Sequence, residues 1–221
     1  MKKYRFDEHG VGYKLGKTLQ KFRPQFSIIL GWIPNKSKVL DLGCGDGVLG
    51  EKLAKEKTCS VFGFDLDEVA VKEAKRRGIK SKLLDMDDGL PYPDKYFDIC
   101  LLSDVLQYSS QPDFVISEAL RVGKKVIIEF PNFGFWCYRL QTLLGHFPSL
   151  SLYGHSWYQT RQTKFFSLSD FLNLAILKKA HIKRLVCIDW KNRQVSWLAR
   201  LNPNLFGRSC ILLLDIPISE K

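Results

Sequence analysis

Three acidic residues and one glycine run carry the most legible chemistry in this chain. Asp41 lies near the end of an apolar run, directly ahead of Gly43-x-Gly45-x-Gly47; Asp65 ends the next apolar run, and Asp85 opens the turn Asp85-Met86-Asp87-Asp88-Gly89 after a third. Glycines lack the Cβ that would hold a ligand away, so backbone N–H groups and a helix N-terminus can close on a nucleotide-type group. A carboxylate ending the second strand suits a pair of ribose hydroxyls. The glycine spacing departs from G-x-G-x-x-G, which counts against a dinucleotide. An acid before the loop would also sit poorly beside a pyrophosphate, whereas it would tolerate a ligand with ammonium and sulfonium charge.

These residues need a scaffold that brings them to one edge. Short apolar runs at 38–42, 60–65, 79–84, 97–102 and 125–130 read as strands, with two more at 182–189 and 211–216. Between them, residues 48–54, 68–77, 112–120 and 167–179 read as helices, the second stopped by Gly78 and the third opened by Pro112. Strands alternating with helices imply right-handed crossovers and a sheet covered on both faces. The expected fold is therefore α/β, a doubly wound, mostly parallel seven-stranded sheet. Residues 19–33 read as a helix interrupted near Pro24, within an N-terminal helical segment 1–34 that covers the sheet or the ligand mouth. From 131 to 166 the alternation breaks into an aromatic and polar stretch, expected as a cap over the pocket. The 221 residues suit one domain, with no linker composition to divide it.

Composition excludes several classes. No run approaches the length needed to span a bilayer and the N-terminus has no signal-peptide core, so the expectation is a cytoplasmic protein without a membrane partner. The cysteines Cys44, Cys59, Cys100, Cys137, Cys187 and Cys210 form no C-x-x-C pair, which argues for reduced thiols and against a metal site. The net charge of +11 is unevenly placed: residues 1–23 hold 7 basic and 2 acidic side chains, 24–138 hold 15 and 17, and 139–221 hold 12 and 4. Such basic ends suit an anionic partner or a plainly solvated face.

The order of the three acidic stations resembles class I S-adenosylmethionine-dependent methyltransferases, which have a Rossmann-like methyltransferase fold. That resemblance implies that Asp41, Gly43, Cys44, Gly45 and Gly47 meet the methionine part of the cofactor, that Asp65 with Leu66 takes the ribose, and that Asp85 with Met86 meets the adenine. Asp87 and Asp88 compete with Asp85 for that last place. Ser103 falls at the pocket floor or caps the short helix after it, and the product would be S-adenosylhomocysteine. On the substrate side, Asn132, His155 and Tyr158 are the candidates in the cap, each with a plain turn, surface or packing role as its alternative. No catalytic base is assigned.

A narrower resemblance covers nearly the whole chain. The segments Trp32-Ile33-Pro34, Leu120-Arg121-Val122-Gly123, Phe130-Pro131-Asn132-Phe133-Gly134, Arg139-Leu140-Gln141, Trp157-Tyr158 and Asn204-Leu205-Phe206 are similar to the MetW family of methionine-biosynthesis proteins. That resemblance implies work beside a homoserine O-acetyltransferase (MetX-like) partner, and either methyl transfer to a small-molecule substrate or regulation by sensing the cofactor. Gln162 and Lys164 replace the family's Asn and His, and Gly207-Arg208-Ser209 replaces its A-E-Q. RNA methylation is a third reading, but Leu102-Ser103-Asp104-Val105 stands where an N/D-P-P-Y/F motif would be, so nucleic acid is not an expected partner.

Overall fold

In a computed structural model, residues 5–6, 12–13, 24–146, 163–189 and 197–215 are described. Two short strands, β1 (Arg5–Phe6) and β2 (Gly12–Tyr13), pair antiparallel. The main sheet has seven strands in the order β5-β4-β3-β6-β7-β9-β8. They are β3 (Lys38–Leu42), β4 (Ser60–Asp65), β5 (Lys80–Leu83), β6 (Phe97–Ser103), β7 (Gly123–Pro131), β8 (His181–Ile188) and β9 (Ser209–Asp215). Strands β3 to β7 pair in parallel, and β9 inserts antiparallel between β7 and β8. The expected sheet is therefore present. Sequence order reverses between β3 and β6, the switch point where open α/β sheets bind ligands beyond their carboxyl ends.

Strand alternation divides the core into two layers. Leu40, Leu42, Phe64, Leu102, Ile128 and Phe130 face α4 (Pro112–Val122) and α6 (Leu168–Leu177). Val39, Leu101, Ile127 and Ile211 face α1 (Pro24–Trp32), α2 (Val48–Lys57) and α3 (Glu68–Arg76). Helix starts follow local chemistry. Asp67 caps α3 by accepting from Val69 N, and Ser167 with Asp170 forms a capping box on α6. Pro112 occupies the first turn of α4, where its missing N–H has no consequence.

Some expectations change. Within the expected cap, α5 (Trp136–Leu143) is helical, whereas the sequence suggests only a break in alternation. Residues 147–162, with His155, Tyr158 and Gln162, lie outside the described residues, as does the expected helix before Pro24. Two short helices, α7 (Trp197–Leu201) and α8 (Pro203–Phe206), precede β9. Cys187 and Cys210 correct the expectation of separate thiols. They stand opposite each other in the β8–β9 ladder and are joined as a disulfide, a neighbourhood fixed by register and invisible in their spacing. No helix among the described residues is long and apolar enough to cross a membrane, and no cluster of metal-ligating side chains occurs among them.

Candidate cofactor-binding and active site

The glycine loop leaves β3 in the left-handed region three times, with φ of 70° at Gly43, 54° at Gly45 and 78° at Gly47. L-residues with a side chain rarely adopt this conformation. Space adds a second requirement. A Cβ at Gly43 would collide with Val105, and one at Gly47 would lie 2.9 Å from the Ala74 backbone. These two glycines thus serve close protein packing, a role that spacing alone does not reveal. Gly43 N and Cys44 N both donate to Phe64 O, at 2.8 and 3.0 Å, which ties the loop to the end of β4.

Asp65 lies at that end and is buried. Its Oδ2 accepts from Gly45 N at 2.7 Å and its Oδ1 from Asp67 N at 2.9 Å. The carboxylate therefore joins the glycine loop to the start of α3, beside Leu66, which is 47% exposed. Asp41 contrasts with it. Only 3% exposed, it has no hydrogen-bond partner among the described residues, and burial followed by the nearby Asp65 pushes its carboxyl up to about 8. Cys44 is buried too, and desolvation with the Asp41 charge raises its thiol well above the ordinary range, so it is no nucleophile near neutral pH.

The three acids after β5 separate in the structure. Asp85 caps the 3-10 turn Met86–Asp88 by accepting from Asp87 N at 2.9 Å, and Met86 is buried in the core. Asp87 turns toward the loop before α4, where it receives Ser109 Oγ, Ser110 N and Ser110 Oγ. Burial would raise its carboxyl, but these hydrogen bonds outweigh it and hold the group below the ordinary carboxylate range. Asp88 is exposed. Asp87 is thus a clamp, and Asp85 is half-buried at the start of the turn.

Ser103 does not cap the following turn; its hydroxyl donates to Glu129 Oε2 at 3.0 Å. Glu129 is 1% exposed and also accepts from Ser209 Oγ at 2.9 Å, so one buried carboxylate links β6, β7 and β9. The sequence reading missed it, although a lone acid inside Val-Ile-Ile-Glu-Phe-Pro is a signal, because acids are rarely buried without a purpose. It also missed Asp104, at a left-handed φ of 61°, and fully buried Gln107.

Asn132 corrects an expectation. Its Nδ2 donates to Asn204 O and Gly207 O, and its Oδ1 accepts from Gly134 N and Leu168 N. Every hydrogen-bonding position of the amide is used in joining β7, α6 and α8, leaving none for a substrate. The replaced positions Lys164 and Ser209 are among the described residues. Lys164 reaches Gln107 O with its backbone and Ser110 O with its ammonium, and Ser209 is the Glu129 partner. A cleft of about 350 Å³ lined by Pro34, Lys36, Asp98 and Lys125 opens instead at the amino ends of the strands, away from all of these residues.

Residues 23–214 match the family model described as methionine biosynthesis protein MetW. The chain belongs to the MetW family. It is similar to the bifunctional methionine biosynthesis protein MetXA/MetW of Rhodopirellula baltica, 31% identical over 66% of this chain and 25% of that protein. A ubiquinone biosynthesis O-methyltransferase of Idiomarina loihiensis is 28% identical over 52% of each chain. The chain thus spans a quarter and about half of these two relatives. In fold it matches a SAM-dependent methyltransferase of Methanosarcina mazei with a TM-score of 0.62, covering 86% of this chain and 96% of that one at 18% identity. Its architecture is that of the SAM-dependent methyltransferases.

Proposed function

We propose that this MetW-family chain binds S-adenosylmethionine at the carboxyl edge of its sheet and directs the methyl group to a small-molecule acceptor within methionine metabolism. The observation that carries the reading is Asp41, a buried carboxyl that receives no hydrogen bond from the described residues and is held neutral by burial. Ionised, such a group is costly without a cation or donor beside it, and the cofactor's ammonium and sulfonium charges would favour the ionised form. The rest of the edge fits in kind: three left-handed glycines, Asp65 at the end of β4 for ribose hydroxyls, and Asp85 with Met86 for the adenine.

When bound, the cofactor supplies an electrophilic methyl group. The chain's own part is then to align the acceptor with it, to keep water out, and to hold the leaving thioether in place. On this reading Leu66, Cys44 and Ser103 would border that space, and Ser103 is held by its bond to Glu129. Calorimetry tests the cofactor reading. Asp65→Ala removes a charge-assisted acceptor and should weaken S-adenosylmethionine binding by about a hundredfold with the fold retained, as far-ultraviolet circular dichroism would verify. Unchanged affinity would sink the reading.

A second reading has its own support. The Rhodopirellula relative is described as joining MetXA and MetW in one chain. On this reading the same pocket senses the cofactor and adjusts a homoserine O-acyltransferase without consuming the ligand. Acyltransferase activity measured with and without this protein and S-adenosylmethionine separates the two: modulation without methyl transfer favours sensing.

A further inference from the structure

The turn after β6 holds a feature that cofactor binding does not use. Gln107 is fully buried, and its Oε1 has no hydrogen-bond partner among the described residues. The amide orientation is fixed, because Nε2 faces two acceptors, Asp104 O at 3.0 Å and Asp104 Oδ1 at 2.8 Å. A buried acceptor without a donor is unfavourable, and such groups are rare in folded proteins. Asp104, which holds the amide, is itself at φ 61°, a strained setting for a residue with a side chain.

Location gives this oxygen its meaning. Val105, between Asp104 and Gln107, fills the space over Gly43, so the turn packs directly on the glycine loop. Asp104 N donates to the backbone carbonyl of Glu129 at 2.8 Å, which ties the turn to β7 as well. The turn follows β6 at the switch point, where a second substrate would meet the cofactor.

We infer that Gln107 Oε1 receives a hydrogen-bond donor of the methyl acceptor, and that this acceptor is an alcohol, phenol or amine. A carboxylate does not suit this point: Gln107 offers an oxygen acceptor, and the Asp104 carboxylate lies on the same amide. Gln107 is a specificity-determining residue on this assignment, while Asp104 positions it. The inference rests on the methyl-transfer reading above and deepens it.

The test uses the full chain loaded with S-adenosylhomocysteine, and calorimetry with catechol, ethanolamine and 1,2-dimethoxybenzene, the donorless ether of catechol. Catechol or ethanolamine should bind at least about tenfold more tightly than the ether. Gln107→Met should erase that preference and leave cofactor affinity within about twofold, since the side chain keeps its length and loses its amide, both the oxygen and the nitrogen that holds Asp104. Equal binding of donor and ether, no binding of either donor at millimolar concentration, or a preference surviving in Gln107→Met each overturns the inference. An ordered water on Oε1 in a crystal soaked with catechol, with no probe contact, overturns it too. Should Gln107→Met fail to fold, the comparison of catechol with its ether on the unmodified chain decides alone. Failure of S-adenosylhomocysteine itself to bind strikes the cofactor reading instead, so the two failures are distinguishable.

Discussion

Asp41 makes the sharpest physical prediction. Its carboxyl is pushed from the ordinary 3.8 up to about 8, first by burial and then by Asp65, so at pH 7 it keeps its proton in the ligand-free protein. In the unfolded chain the same carboxyl ionises near 3.8. Between these values the folded state binds the extra proton, so this residue's contribution is fully present below 3.8 and is lost as pH rises toward 8. Each unit is worth about 1.4 kcal/mol, so by pH 7 the loss is on the order of 4 kcal/mol. A cationic ligand reverses the preference, because an ammonium or sulfonium beside Asp41 favours its ionised form. Binding of S-adenosylmethionine at pH 6.5 should therefore release a proton, up to about one per site. Calorimetry in buffers of different ionisation enthalpy reads this number directly. Affinity should rise between pH 5.5 and 7, a window in which the ligand's own amine stays protonated. Asp41→Asn should remove both the proton release and the pH slope, and should unfold at higher urea than the unmodified chain at pH 8. Binding without proton release, together with a destabilised Asp41→Asn, would refute the assignment of a neutral, ligand-seeking Asp41.

Three other outcomes follow from the packing. Gly47→Ala forces a side chain into a left-handed backbone and against Ala74, and should cost about 1–3 kcal/mol in a urea titration, with cofactor affinity falling as α2 shifts. Asn132→Ala removes a buried amide that holds four backbone groups, so a loss of more than about 3 kcal/mol is expected in the same titration; a loss below 1 kcal/mol would contradict its structural role. Leu53→Ala, at a fully buried site on α2, should cost about 2–5 kcal/mol without changing the protons released on cofactor binding.

Much of the scaffold was legible because its signals are local. The apolar runs at β3, β4 and β6 cover both faces of a buried parallel sheet, so hydrophobicity alone marks them. Gly78 after α3 and Pro112 at the start of α4 mark helix ends through their own backbone chemistry. The segment 131–166 was less legible. Its helix α5 buries Tyr138 but leaves Trp136 and Leu140 largely exposed, so no regular apolar stripe announces it. Asn132 stays open between two roles in the sequence, because an asparagine after a strand looks alike whether its amide meets a ligand or three parts of its own chain; the structure shows the second.

The sequence by itself determined the order of elements, the glycine loop and the acidic residues at the strand ends, since residue type and periodicity encode them locally. Tertiary structure decided what each group faces. Asp65 and Asp87 are bound by backbone and hydroxyl donors, Asp41 is left buried without one, and Glu129 joins strands far apart in the chain. Gln107 keeps one oxygen unpaired among the described residues. Burial and pairing depend on which strands become neighbours, and that follows from register and layer packing over the whole sheet rather than from any one stretch of sequence.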